Sequence, residues 1–243
     1  MRGLGSVIAA FMFTAGSAFA SSASFVTADG VRIFARYQAP QAGVARGTII
    51  LLHMAGSNKD EYRPLATILN KAGFSTLAID QRSGGNLWGS ENETARQAKG
   101  RRDFPAALPD LDAAISYARS LNGDPIILWG SSYSAALAFV AASHDRGIRA
   151  LLAFSPAEYI EGYSIQEAAA QLSIPVFIAS APNQSEIESA GALAQAVPNN
   201  NAVQYVPKFG RHGSSTLRPD ENPLGAQENW KHVITFLDNV APR

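Results

Sequence analysis

The chain has 243 residues, of which 47% are hydrophobic and 16% are charged, a balance typical of a globular protein and not of a disordered chain. Lysine plus arginine and aspartate plus glutamate each number 20, so net charge gives no reason to expect nucleic acid or an anionic membrane as a partner. The chain has no cysteine, which excludes disulfide bonds, a cysteine nucleophile and cysteine-ligated metals.

The first 20 residues have the three parts of a secretory signal peptide. Arg2 gives a positive start, Leu4 to Phe13 is mostly apolar, and Ala18 to Ala20 has the small-x-small form of a cleavage site. The apolar run is shorter than the ~20 residues that a membrane-spanning helix needs. We therefore expect a signal peptide over 1–20, one mature domain over 21–243, export to the periplasm or medium, and no stable membrane insertion after cleavage.

In the mature chain, predicted strands alternate with predicted helices. Phe25 to Ala28 and Val31 to Tyr37 are predicted to form a hairpin around Asp29-Gly30, a dipeptide typical of tight turns. The segment 48–53 is a continuous apolar run, as expected of a strand buried on both faces. The other predicted strands span 74–80, 125–129, 148–154, 175–179 and 202–206.

Helices are predicted where apolar residues recur at helical spacing; they span 60–71, 109–121, 135–143, 165–172, 187–197 and 229–240. Ser83 to Arg102 is polar and rich in glycine, which predicts a long loop. The alternation of strands and helices predicts the α/β class, with a doubly wound, mainly parallel sheet of about eight strands.

The pentapeptide Gly130-Ser131-Ser132-Tyr133-Ser134 lies directly between a predicted strand and a predicted helix, which is the setting of a nucleophile elbow. The flanks of this turn must be small. Gly130 meets that need, and Ser134 stands where a second glycine is usual. The turn geometry puts Ser132 at the tip, where the N-terminus of the next helix favours developing negative charge. The alternative is a serine-rich turn that only caps a helix.

A serine hydroxyl needs a base to become a good nucleophile. Of the four histidines, His144 follows a helix, His232 lies within one, and His53 ends a strand. His212 lies in a Gly-Arg-His-Gly loop after the last predicted strand, where core packing gives no reason for a histidine. His212 is therefore the predicted base.

The order of these motifs resembles that of the α/β-hydrolase superfamily, and within it the small dienelactone-hydrolase-like and carboxylesterase-like members. The resemblance covers almost all of the mature chain; it rests on LLHMAGS (51–57), AIDQRSGG (78–85), GSSYS (130–134), IPVFIASA (174–181) and the late His-Gly. In the family these segments are the oxyanion loop, a supporting Asp-x-Arg turn, the nucleophile, the acid region and the base.

The resemblance implies that the backbone amides of Ala55 and Tyr133 form the oxyanion hole. Met54 stands where the family usually has glycine, so Met54 itself is the alternative donor. His53 matches the family's structural loop histidine, and Asp80 and Arg82 match a turn that supports structure.

The resemblance places the acid just after the strand predicted over 175–179, but that segment has no aspartate. Asn183 stands near the expected position, and Glu186 is the first carboxylate there. Glu186 is the predicted acid, against the alternative that it only begins the following helix. Glu158, after the preceding strand, is the other candidate.

Together these residues predict a hydrolase of carboxylic esters that forms an acyl-enzyme on Ser132, with His212 as general base. No motif for a metal or a nucleotide cofactor is found, so none is expected. Only one short helix fits between Phe154 and Pro175, which predicts the absence of a large cap and a small or accessible ester substrate. A thioesterase or peptidase would use the same residues, and a non-catalytic binding protein on the same fold is the further alternative.

Overall fold

The computed structural model describes residues 20–122 and 125–243. All but the last residue of the predicted signal peptide lies outside the described residues, so that peptide stays a prediction. Within the described ranges, the search for an apolar helix long enough to cross a membrane found none.

Eight strands form one sheet. They are β1 (Ser21–Val26), β2 (Arg32–Gln38), β3 (Thr48–Leu52), β4 (Ser75–Ile79), β5 (Ile126–Ser131), β6 (Ile148–Phe154), β7 (Val176–Ala179) and β8 (Ala202–Tyr205). The spatial order is β1-β2-β4-β3-β5-β6-β7-β8. The pairs β1–β2 and β2–β4 are antiparallel, and the pairs from β4 to β8 are parallel. The predicted fold class and the predicted hairpin are confirmed.

The helices lie in the connections between strands and, in the case of the last one, after the final strand. They are α1 (Arg63–Lys71), α2 (Glu93–Gln97), α3 (Leu108–Asn122), α4 (Tyr133–His144), α5 (Ile165–Ala170), α6 (Gln184–Ala196) and α7 (Ala226–Val240). Short 3-10 turns include Lys59–Tyr62 before α1 and Gly213–Leu217 after β8. Only α5, with six residues, lies between β6 and β7, so the structure has no large cap there.

Two apolar layers enclose the sheet because successive side chains of a strand point to opposite faces. Ile50 and Leu52 of β3 belong to the layer that packs on α3, α4, α5 and α6. Ile49 and Leu51 belong to the layer that includes side chains of α1 and α7. All five residues of β3 are buried, which explains its uninterrupted apolar sequence.

The prediction of a long loop over 83–102 is wrong in part, since the five-residue α2 lies within it. Asn92 is the N-cap of α2, and its side-chain oxygen accepts a hydrogen bond from the Ala95 amide. Thr94 is buried, and its hydroxyl accepts a hydrogen bond from the Phe34 amide of β2 at 2.9 Å. A helix of five residues is too short to show an apolar period, so only its capping asparagine marks it in the sequence.

Parallel strands end at the same edge of a sheet, and four neighbouring strands bring functional segments to that edge. Ser132 follows β5 directly, and Ser155 follows β6. Glu186 lies in the first turn of α6 after β7, and His212 lies in the loop after β8. The sheet order therefore places these segments side by side.

Gly130→Ala should damage both folding and the elbow. A Cβ at residue 130 would lie 2.4 Å from Cα and 2.5 Å from the amide nitrogen of Ala135, both backbone atoms of α4. We expect a loss of about 1–3 kcal/mol in the free energy of unfolding from overpacking, measured by urea denaturation.

Gly191→Ala in α6 is the matched control, because its Cβ would meet only the end of the Gln204 side chain, at 3.2 Å. Alanine also raises helix propensity, so we expect a change of no more than about 1 kcal/mol. Equal losses in the two variants would contradict the account of the elbow.

Candidate active site

Ser132 occupies a strained turn between β5 and α4. Its φ of 60° and ψ of −125° lie outside the regions that residues with side chains normally adopt. Ser134 is buried, and its hydroxyl donates to the Leu52 carbonyl of β3 at 2.6 Å. Serine in place of the usual second glycine thus fits the turn and ties it to the neighbouring strand.

The loop after β8 brings the His212 ring to Ser132. His212 Nε2 lies 2.8 Å from Ser132 Oγ. The backbone on the C-terminal side of the ring is anchored twice, since the Gly213 amide donates to Ser155 Oγ at 2.8 Å and the Ser214 amide donates to Ser131 Oγ at 2.9 Å. Both anchors fix the height of the ring above the elbow.

The glycine after His212 is required by conformation and by space. Gly213 has a φ of +64°, and a Cβ there would lie 2.4 Å from Ser131 Oγ. The His-Gly pair therefore closes against the elbow in a way that a larger residue would prevent.

Glu186 lies on the other side of the imidazole. Its Oε1 is 3.1 Å from His212 Nδ1, and its Oε2 accepts a hydrogen bond from the Ala181 amide at 2.8 Å. Because an ionised carboxylate only accepts hydrogen bonds, Nδ1 must carry the proton of the neutral ring. Nε2 is then free to accept the proton of the Ser132 hydroxyl.

The two other candidates for the acid have different contacts. Glu158 accepts hydrogen bonds from the amides of Ile165 and Gln166, at 2.8 and 2.9 Å, and so caps α5. Asn183 is the N-cap of α6, and its Nδ2 donates to Glu186 Oε1 at 3.1 Å. The structure thus brings Glu186 to His212, while Asn183 orients Glu186 from behind. Glu186 also lies in the first turn of α6, so it both begins that helix and contacts His212.

The surroundings of Glu186 favour its ionised form. Burial opposes the charge, but hydrogen bonds from His212, Ser155, the Ala181 amide and Asn183 outweigh it and lower the pKa of Glu186 to about 2. The carboxylate therefore stays charged at any pH at which a histidine titrates.

The backbone amides of Ala55 and Tyr133 are the two expected to form the oxyanion hole. Neither amide donates a hydrogen bond to an acceptor among the described residues. The Met54 amide donates to Glu61 Oε2 at 2.9 Å. The alternative that Met54 is the donor therefore conflicts with this contact.

Tyr133 is held by its side chain. Its ring is buried and stacks on Phe104 with a centroid distance of 4.1 Å, and its hydroxyl lies 2.7 Å from Ser83 Oγ. These contacts fix the first residue of α4 directly after Ser132.

His53, Asp80 and Arg82 support the loops around the site. His53 is fully buried, its Nε2 accepts from the Gln81 amide at 2.9 Å, and burial lowers its pKa. Asp80 Oδ2 pairs with Lys59 Nζ at 2.7 Å, and Arg82 pairs with Asp29 and Asp110. Their positions match the supporting roles that the sequence predicted.

Three residues at the site were not anticipated as part of it. Ser155 accepts from the histidine loop and also favours the ionised form of Glu186, Ser131 joins the same loop to the elbow, and Glu61 holds the loop of Met54. Ser155 follows a buried strand at the same sheet edge, which is a usable signal. The sequence around Glu61 gives no comparable signal.

No metal site competes with this arrangement in the part of the chain that the structure describes. The search for groups of three or more histidine, aspartate or glutamate side chains able to hold an ion found none there.

Acid should destabilise the protein partly through Glu186. Its folded-state pKa of about 2 is below the unfolded value of ~4.3, so its ionised form stabilises the fold above ~4.3 and this contribution is lost as the pH falls toward 2. Between pH 6 and 3, we expect the free energy of unfolding to fall by about 1–2 kcal/mol more in wild type than in Glu186→Gln. The effect is kept to this size because His212 is partly exposed, so that water screens its interaction with Glu186. Urea denaturation at both pH values measures this, and parallel losses in the two proteins would contradict it.

Comparisons with known proteins place the chain in a family. A family model described as serine aminopeptidase, S33, matches residues 43–205 of the 243. A search of curated proteins found no significant match.

Several solved structures share the fold. An esterase from Pyrococcus furiosus has a TM-score of 0.70 and 17% identity, with 92% of each chain covered. A thermostable carboxyl esterase from Bacillus coagulans has a TM-score of 0.72 and 13% identity, over 91% of this chain and 99% of that one. A proposed dienelactone hydrolase from Klebsiella pneumoniae has a TM-score of 0.70 and 17% identity, over 91% and 98%.

At these identities the solved structures show the fold alone, whereas the family model covers well over half of the sequence. The matched segment, residues 43–205, includes the oxyanion loop, the elbow and Glu186, and it ends before His212. The chain belongs to the serine aminopeptidase S33 family of α/β hydrolases.

Proposed function

We propose that this protein is a serine hydrolase that cleaves carboxylic esters. One observation carries the proposal: the continuous contact from Glu186 through His212 to Ser132, with distances of 3.1 and 2.8 Å. This is the geometry that nucleophilic catalysis by serine needs, with a base in contact with the nucleophile and an anion behind the base.

In the proposed reaction, Ser132 Oγ attacks the ester carbonyl while His212 Nε2 accepts its proton. The ionised Glu186 stabilises the resulting imidazolium, and His212 then gives the proton to the leaving alcohol. Water then attacks the acyl carbonyl while His212 Nε2 accepts its proton. The bond to Ser132 Oγ breaks, His212 returns the proton to that oxygen, and the acid product leaves. The amides of Ala55 and Tyr133 are the proposed donors to the oxyanion, where the N-terminus of α4 adds a favourable dipole.

An ester is the favoured substrate for two reasons. The similar solved structures include proteins named as esterases, and the short connection between β6 and β7 leaves the site without a large cap. The His212 side chain is 43% exposed, which suits an accessible acyl group.

A peptide substrate is the second candidate, because the family description names an aminopeptidase. Ester and amide hydrolysis would use the same three side chains. Rates with a p-nitrophenyl ester and the matching p-nitroanilide separate the two activities.

Ser132→Ala should abolish hydrolysis of p-nitrophenyl acetate and labelling by a fluorophosphonate, because no other described hydroxyl contacts His212 Nε2. Ser143→Ala is the control, since its hydroxyl bonds only the Val140 carbonyl within α4. Full activity in Ser132→Ala, or a folded wild type that neither turns over nor labels, would refute the proposal. The latter result would favour a binding protein on the same fold.

Glu186→Gln should lower kcat by at least about a hundredfold, because the amide removes the charge that stabilises the imidazolium. Glu158→Gln is the matched control, since Glu158 caps α5 and should change kcat less than about threefold. Both variants should keep the circular dichroism spectrum of wild type. A larger loss in Glu158→Gln than in Glu186→Gln would reverse the assignment of the acid.

A further inference from the structure

The proposed relay leaves one buried carboxylate next to the site without a role. Glu61 lies in the 3-10 turn before α1 and has no solvent exposure. Burying an ionisable group is costly unless hydrogen bonds compensate it. Burial does raise the pKa of Glu61, against the hydrogen bonds from Met54, Ser131 and Ser57. Such a residue calls for a reason in the structure around it.

Glu61 holds both ends of the turn that carries Ala55. Its Oε2 accepts hydrogen bonds from the Met54 amide at 2.9 Å and from Ser57 Oγ at 2.8 Å. Between these two anchors lie Ala55 and Gly56, and Gly56 has a φ of +71°. The path of the Ala55 backbone is therefore set from both sides by a single oxygen atom.

The same carboxylate lies close to the elbow. The Ser131 hydroxyl is near enough to favour the ionised form of Glu61 and so to oppose the rise of its pKa, and Ser131 directly precedes Ser132. Ser131 Oγ also accepts the Ser214 amide of the histidine loop at 2.9 Å. Glu61 thus lies between the oxyanion loop and the turn that presents the nucleophile.

Two further side chains close the cluster from outside. Trp88 Nε1 donates to Ser57 Oγ at 2.8 Å. The Arg218 guanidinium lies over the Trp88 ring, 3.8 Å from its centroid, and donates to the Glu61 carbonyl at 2.8 Å. Since Arg218 belongs to the segment after His212, the cluster connects three loops of the site.

We propose that Glu61 is a positioning residue of the oxyanion hole, holding the turn of Met54 to Ser57 so that the Ala55 amide keeps its place relative to Ser132. The proposal rests on the proposed function. Loss of the acceptor would leave the Met54 amide and the Ser57 hydroxyl without their partner. The turn would then relax, and a displacement of about 1 Å is enough to cost orders of magnitude in rate.

Three variants test this role. Glu61→Met keeps the volume but removes the acceptor, whereas Glu61→Gln keeps one oxygen able to accept from Met54 and Ser57. Asp110→Asn is the control, because Asp110 is also a fully buried carboxylate but accepts from the amide and Nε of Arg82, away from the oxyanion loop.

With p-nitrophenyl acetate, Glu61→Met should lower kcat at least about tenfold while KM changes less than about twofold, since oxyanion contacts act in the transition state. Glu61→Gln should recover most of the loss, and Asp110→Asn should stay within about threefold of wild type. Affinity for an alkyl trifluoromethyl ketone, which forms an oxyanion on the serine, should fall in parallel with kcat/KM.

Hydrogen exchange gives a readout that does not depend on turnover. Amides of residues 53–58 should exchange faster in Glu61→Met than in wild type or Asp110→Asn. Unchanged kcat and unchanged exchange in Glu61→Met would overturn the proposal, as would equal losses of kcat in Glu61→Met and Asp110→Asn. If wild type itself lacks turnover, the proposed function fails, and exchange alone decides whether Glu61 holds the loop.

Discussion

The abrupt reversal of the chain at Ser132 is the constraint on which the rest of the site depends. β5 ends at Ser131 and α4 begins at Tyr133, so a single residue turns the chain. This brings the backbone of Ala135 over Gly130, with no room for a Cβ between them. The first turn of α4 must therefore pack directly on the strand, which explains the small side chains of Ser134, Ala135 and Ala136. The same reversal leaves the Tyr133 amide at the start of the helix without an internal acceptor. The close packing of α4 on β5 and the free amide of Tyr133 thus both follow from the sharp turn at Ser132.

The order of the sheet then decides which loops can meet at Ser132. Because β5, β6, β7 and β8 are neighbours in that order, the segments that follow them are neighbours as well. Ser155 lies between the other two loops, where its amide donates to the Ala179 carbonyl at the end of β7 and its hydroxyl accepts from Gly213. A serine that touches no substrate in the proposed mechanism thereby fixes the spacing between Glu186 and His212.

The sequence was most informative where a function needs a particular residue at a particular point of the fold. Ser132 and His212 can be paired from the sequence alone, because a strand-to-helix turn and a late glycine-flanked histidine occur in the family's order. Glu186 could be proposed because it is the first carboxylate after β7. These inferences use chain order, which is also the spatial order of the parallel strands β5 to β8.

Side-chain contacts between loops could not be predicted in the same way. Whether Ala55 or Met54 offers a free amide depends on where the Glu61 carboxylate lies, and that depends on a 3-10 turn burying it. The fit of Ser134 depends on the Leu52 carbonyl of another strand. The short α2 has no apolar period, so tertiary contacts of Thr94 and the cap at Asn92 determine it.

Glu186 and Glu61 are the same kind of side chain, but their different surroundings suit them to different roles at the site. Glu186 gains enough hydrogen bonds from His212, Ser155, Ala181 and Asn183 to outweigh burial, and its pKa falls to about 2. It therefore carries a permanent negative charge behind the imidazole, as stabilisation of an imidazolium requires. Glu61 is buried completely, and burial outweighs its hydrogen bonds, so its pKa rises.

The Glu61 carboxyl group can anchor the loop in either protonation state, because both forms keep lone pairs that accept from Met54 and Ser57. The environment of Glu61 thus suits holding a loop, and that of Glu186 suits holding a charge. The division of roles therefore follows from how much water each site excludes and how many donors each site supplies.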